Sequence, residues 1–131
     1  MTLALDTKAY VAFRNGHLQT AELVRDAEAI TMSVVVVGEL LFGFHHGNRY
    51  ERNRMLLEEF LGMADVSVVP VTESTADRFG LLSASLRRRG TPIPTNDIWI
   101  AAHVFESGTR LATFDKHFQA IDNLPQVTLT R

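Results

Sequence analysis

This chain of 131 residues has no cysteine, which excludes disulfide staples, thiolate metal sites and cysteine nucleophiles. Long apolar runs are missing too. The longest, Val34 to Phe44, contains Glu39 and is shorter than the ~20 residues needed to cross a bilayer. Near the N-terminus, Asp6 arrives too early for the apolar stretch of a secretory signal, so a cytoplasmic protein with no membrane partner is expected. Neither sign of charge dominates. The net charge of -2 argues neither for nor against nucleic acid, because local charge decides phosphate binding. With 46% hydrophobic and 21% charged residues, the chain has the composition of an ordinary soluble domain. Its length fits one domain, 1–131, able to bury a core unaided.

Strand-like and helix-like segments alternate, with no repeat, low-complexity stretch or linker. Thr2 to Leu5 reads as a strand leading to a helix over about Lys8 to Phe13, which Gly16 can stop. Leu18 to Glu28 reads as an amphipathic helix with Leu18, Ala21, Leu23, Val24 and Ala27 on its apolar face. The run Val34-Val35-Val36-Val37 favours a strand by propensity. Glu39, Leu40-Leu41 and Gly43 fit a helix better, with Ser33 as its cap and Ala29 to Met32 left as the strand. The helix is preferred, in part because of a family resemblance set out below. Further on, Arg49 to Leu61 is helical by spacing, Val66 to Val69 is a short strand, and Thr72 caps a helix to about Arg89 that Gly90 ends. After the loop Thr91-Pro92-Ile93-Pro94 come a helix from about Asn96 to Glu106 and strands at Leu111 to Phe114 and Val127 to Leu129. Such alternation predicts an α/β fold with a parallel sheet covered on both faces.

Four carboxylates stand where solvated charges normally do not. Asp6 ends the apolar run Leu3-Ala4-Leu5; Glu39 interrupts Val34 to Phe44; Asp97 opens Ile98-Trp99-Ile100; Asp115 closes Leu111-Ala112-Thr113-Phe114. An ionised acid in apolar surroundings is costly unless paired, hydrogen-bonded or bound to a metal. Taken singly, each has an ordinary structural explanation: Asp6 and Asp115 as turn residues, Asp97 as a helix cap, Glu39 as the partner of a buried arginine. Taken together, a shared metal site explains all four. Oxygen donors without cysteine or a convincing histidine set favour Mg²⁺ or Mn²⁺ over Zn²⁺. The matching reaction is phosphodiester hydrolysis, in which a metal activates water and offsets charge on the leaving oxygen.

The segments Leu5-Asp6-Thr7 with Ala9-Tyr10-Val11-Ala12-Phe13, Gly38-Glu39-Leu40-Leu41-Phe42-Gly43, Pro94-Thr95-Asn96-Asp97-Ile98-Trp99 and Thr113-Phe114-Asp115-Lys116-His117-Phe118 together resemble the PIN-domain ribonucleases. Within these, the VapC toxins of toxin–antitoxin pairs are the nearest group. The resemblance runs in order along essentially the whole chain. It implies an α/β/α sandwich that hydrolyses RNA with Mg²⁺ or Mn²⁺ held at Asp6, Glu39, Asp97 and Asp115, the first and third carrying most contacts. It also implies that Thr113 supports the site, that the protein is a homodimer, and that a small antitoxin inhibits it by placing an arginine from a basic segment among the acids. The apolar surface near Val34 to Phe44 and Met55 to Leu61 would receive the rest of that segment. One departure is Lys8, where many relatives have asparagine; its preferred reading is solvent, the alternative a contact to RNA phosphate.

Arg87-Arg88-Arg89 ends a helix beside the proline-rich loop leading to Asp97. Its preferred reading is a solvated face with favourable charge at a helix C-terminus; the alternative is a phosphate track for RNA. The five histidines read as surface or interface groups, and Trp99 as core or dimer interface. The expected function is a metal-dependent endoribonuclease acting as a toxin. Its competitors are a PIN-type nuclease that is no toxin, a phosphatase with Asp6 as covalent nucleophile, and a non-catalytic module whose acids bind a basic peptide. The phosphatase is the weaker, since Lys8 stands where a second aspartate is expected.

Overall fold

Five short strands, β1 (Thr2–Leu5), β2 (Ala29–Ser33), β3 (Val66–Val69), β4 (Arg110–Thr113) and β5 (Gln126–Thr128), form one sheet in the computed structural model, which describes residues 1–131. Their order is β3-β2-β1-β4-β5 and every pairing is parallel. Six α-helices flank the sheet: α1 (Thr7–Arg14), α2 (Leu18–Asp26), α3 (Val34–His46), α4 (Tyr50–Leu61), α5 (Glu73–Arg88) and α6 (Thr95–Ser107). A 3₁₀-helix over Lys116–Ala120, absent from the sequence expectation, joins β4 to β5. Consecutive residues Leu3, Ala4 and Leu5 of β1 are all buried, as a strand covered on both faces requires.

The strand order fixes where a ligand can sit. From β1 the chain winds outward through β2 to β3, then returns to the other side of β1 with β4. The two halves therefore part between the carboxyl ends of β1 and β4. In open α/β sheets that crevice is where ligands bind. Asp6 follows β1 directly, and Asp115 lies just beyond β4.

Helix α3 resolves the conflict at the valine run. Ser33 ends β2 and its hydroxyl accepts the Val35 N–H at 3.1 Å, so the cap begins a helix where propensity favours continued strand. Val36 and Leu40, one turn apart, are the buried residues of α3. That burial outweighs a β-propensity spanning only ~1 kcal/mol. Helix α6 buries Ile98, Ile100, Ala101, Ala102 and Val104, and each of its large aliphatic side chains is worth about 1.5–3 kcal/mol when removed from water. It ends at Gly108, whose φ of 65° would cost a side-chain-bearing residue roughly 1–2 kcal/mol.

One histidine departs from its expected place. His103 of α6 is buried, and its ring lies 2.7 Å from Ser33 Oγ and 3.0 Å from the Pro70 carbonyl. Trp99 is half-buried and stacks on Phe79 of α5, with ring centroids 3.9 Å apart.

Candidate metal centre

Asp6 is 6% exposed, and both its oxygens are engaged. Oδ1 accepts the Ala9 N–H at 2.9 Å and so caps α1, while Oδ2 accepts the Thr113 hydroxyl proton from β4. Burial pushes its carboxyl from the usual 3.8 up to about 6; the Thr113 and Ala9 bonds oppose this, and the negative charges of Asp97 and Asp115 reinforce it. The Asp6 site is thus an acid in tension with its surroundings at neutral pH.

Asp97 lies in the first turn of α6, but that helix has no side-chain cap. The alternative reading of Asp97 as a helix cap therefore does not hold. Its half-buried carboxyl is also raised, chiefly by desolvation; Asp115 and Glu39 add to the rise, while the hydrogen bond and charge of His117 resist it. Asp115 caps the 3₁₀-helix by accepting the His117 N–H at 3.0 Å, and its own N–H donates to Thr113 Oγ1 at 2.9 Å.

Glu39 has no arginine partner. Its Oε1 accepts the Thr7 hydroxyl at 2.6 Å and its Oε2 accepts the Asn96 amide at 3.2 Å, so α3 is tied to the start of α1 and of α6. Thr7, Asn96 and Glu39 border an open hollow of about 600 Å³ that also meets Phe42. Thr7 and Asn96 stand in the sequence with no mark of this role of their own. Each adjoins a singled-out acid in the chain, which was the only available signal.

His117 is a surface histidine that nonetheless faces two of the acids. It is exposed as foreseen, yet its Nδ1 lies 2.9 Å from Asp115 Oδ1 and 3.4 Å from Asp97 Oδ2. Donor atoms of Asp97, Asp115 and His117 lie within 4.8 Å of one another, a group that includes neither Asp6 nor Glu39. None of the salt bridges brings an arginine or lysine to any of the four acids; His117 is their one basic partner. Uncompensated carboxylates with an imidazole beside them are a donor set that a divalent cation fits.

The cationic candidates form no ion pair with the four acids. Lys8 is exposed, as are Arg87 and Arg88. Arg89 is committed to structure, donating to the Ala120 carbonyl at 2.6 Å and pairing with Asp122 at 3.4 Å. No helix is long and apolar enough to cross a membrane.

The chain matches the PIN domain over residues 3–124. It is 28% identical to ribonuclease VapC5 of Mycobacterium tuberculosis over 127 residues, covering 97% of this chain and 93% of that one. It is 31% identical to ribonuclease VapC1 of Haemophilus influenzae over 98 residues, covering 74% and 72%. Among solved structures, VapBC-1 of nontypeable Haemophilus influenzae aligns with a TM-score of 0.84 at 27% identity over 97% of both chains. VapBC2 of Rickettsia felis, solved bound to a DNA fragment from its promoter, gives 0.82 at 26% identity over 97% and 98%. The match begins inside β1 and ends after the 3₁₀-helix, so it spans every acid of the crevice, and the chain belongs to the PIN-domain family, in its VapC group.

Proposed function

We propose that the chain is an endoribonuclease that uses Mg²⁺ or Mn²⁺ and acts as the toxin of a type II toxin–antitoxin pair. The observation that carries this reading is Asp97, a carboxylate with no capping bond and no lysine or arginine partner, facing Asp115 across His117 at the sheet's switch point. Asp6, Glu39, Asp97 and Asp115 would hold the ion, with Thr113 fixing Asp6. Such an ion, when bound, polarises a phosphoryl oxygen and makes a water more acidic.

The chain's own residues supply the positioning. Thr113 and Ala9 lock the two Asp6 oxygens, and Thr7 and Asn96 lock those of Glu39, so little side-chain entropy is left to lose on binding. Lys8, Arg87 and Arg88 are free to meet RNA phosphates. The same arrangement disfavours Asp6 as a covalent nucleophile, since it is buried with both oxygens occupied.

The proposed partner is a small antitoxin with a basic segment whose arginine enters the acid cluster, a planar fork matched to carboxylates. Supporting it, relatives are known as VapBC pairs. A cleft of about 250 Å³ beside α3 and α4 is lined on its apolar half by Tyr10, Val11, Phe44 and Leu56 and on its polar half by Arg14, Asn15, Arg52 and Asn53. A homodimer is proposed on resemblance alone.

The test is RNA cleavage by purified protein with Mg²⁺, Mn²⁺ or chelator, alongside Asp97→Asn. Cleavage should need the ion and vanish in the variant, and expression of the wild type alone should arrest growth. Cleavage that persists in chelator and in Asp97→Asn would sink the metal-nuclease reading. A harmless wild type that still cleaves RNA would remove only the toxin role.

A further inference from the structure

The group not absorbed by the four-acid reading is His117. Its backbone is held on both sides: its N–H donates to Asp115, and the next residue, Phe118, is fully buried and anchors the 3₁₀-helix to the core. The ring's point of attachment is therefore placed by the fold. Its Nδ1 stands 2.9 Å from one carboxylate oxygen and 3.4 Å from another, belonging to residues on different elements, β4's exit and α6.

Two donors side by side on an octahedral ion, each about 2.1 Å from it, lie about 3 Å apart. The spacing of Nδ1 from both acids is of that size. Ligation through Nδ1 needs the tautomer with its proton on Nε2, and the half-exposed ring leaves Nε2 open to water. We propose that His117 is a nitrogen ligand of the centre, binding beside Asp97 and Asp115, and that it makes the site prefer Mn²⁺ to Mg²⁺. This rests on the reading of Asp97 and Asp115 as metal-holding residues.

The preference follows from ligand chemistry. Mg²⁺ favours an all-oxygen shell and gives up water reluctantly, so an imidazole replacing a water gains it little. Transition ions accept imidazole nitrogen readily alongside carboxylates. An all-carboxylate site would discriminate less between the two ions.

Calorimetric titration of the full chain with Mn²⁺ and with Mg²⁺ reads the preference directly, and the electron spin-echo spectrum of the Mn²⁺ form reads nitrogen coordination. The wild type should bind Mn²⁺ roughly tenfold or more tightly than Mg²⁺ and show ¹⁴N coupling from a directly bound imidazole. His117→Gln should lose the coupling and most of the Mn²⁺ advantage, with Mg²⁺ affinity changed only a few-fold. Absence of ¹⁴N coupling in the wild type, or an unchanged Mn²⁺ to Mg²⁺ ratio in a folded His117→Gln, overturns the proposal. Should the variant fail to fold, the wild-type spectrum decides alone. If Asp97→Asn binds both ions as the wild type does, the metal-holding reading of the acids itself fails, which is a separate outcome.

Discussion

Thr113 links the two acids that flank the sheet's switch point: its hydroxyl proton goes to Asp6 Oδ2, and the same oxygen accepts the Asp115 N–H at 2.9 Å. One fully buried hydroxyl thus sets the position of a carboxylate after β1 and of the backbone that carries another after β4.

Thr113→Val keeps the shape and removes the hydroxyl. A buried carboxylate oxygen and a backbone N–H then lose their partner, at a cost of about 1–3 kcal/mol. Because the lost bond favoured ionised Asp6, that carboxyl should also titrate at still higher pH. Urea unfolding should show the loss, and Thr113→Ser should restore most of it. A Val variant as stable as wild type, with Asp6 titrating unchanged by carbon-detected NMR, would contradict the arrangement.

Asp6 gives the metal-free protein a definite pH dependence. Its carboxyl ionises near 3.8 when unfolded and near 6 when folded, so between these values the folded state binds more protons. The favourable contribution is complete below about 3.8 and is lost as pH rises through about 6, a change of about 3 kcal/mol for a shift of this size. In chelator, Asp6→Asn should therefore be more stable than wild type at pH 7, with the difference vanishing toward pH 4. Denaturant titrations of both proteins across that range measure it. A difference that grows as pH falls would have the wrong sign. Cleavage by Asp6→Asn should nonetheless be lost.

Much of this was legible in the sequence because the signals were local. Gly90 and Gly108 end their helices with positive φ, Ser33 and Thr72 cap theirs, and the strands are short segments rich in β-branched or aliphatic residues, so the element order follows from adjacent residues. The four acids were visible because each interrupts apolar sequence. The histidines were not, since solitary histidines carry no period or spacing that tells a core position from a site. Whether His103 reaches Ser33, 70 residues away, or His117 reaches Asp97 depends on crossovers rather than on neighbours. The partners of Glu39 were hidden likewise: Thr7 and Asn96 lie 32 and 57 residues from it.

Asn96 provides the clearest test of that hidden geometry. It is exposed, and its amide donates to Glu39 Oε2 at 3.2 Å, so Asn96→Ala should cost under about 1 kcal/mol of stability. Glu39 would then be held by Thr7 alone. Metal affinity should fall by roughly tenfold, the lower end of what an outer-shell partner contributes. Calorimetry with Mn²⁺ checks this, and Asn96→Gln should not rescue, because its longer arm misplaces the amide. Unchanged affinity would show that Glu39 needs no second partner.

The buried His103 makes the last prediction. Pro70 offers only a carbonyl, so Nε2 donates to it at 3.0 Å, while Nδ1 shares a hydrogen bond with the Ser33 hydroxyl at 2.7 Å. Ser33 Oγ also accepts the Val35 N–H and caps α3, so His103 on α6 fixes the start of the helix that carries Glu39. Ser33→Ala removes the cap, worth about 0.5–2 kcal/mol, and leaves a buried ring nitrogen unpaired, worth about 1–3 kcal/mol more. The variant should therefore lose about 1.5–5 kcal/mol, more than the cap deletion alone. In the double variant Ser33→Ala with His103→Leu, the orphaned nitrogen is gone, and the combined loss should be smaller than the sum of the single losses. Urea unfolding of the four proteins in this cycle measures the coupling. Strict additivity would mean that the ring and the hydroxyl do not act as a pair.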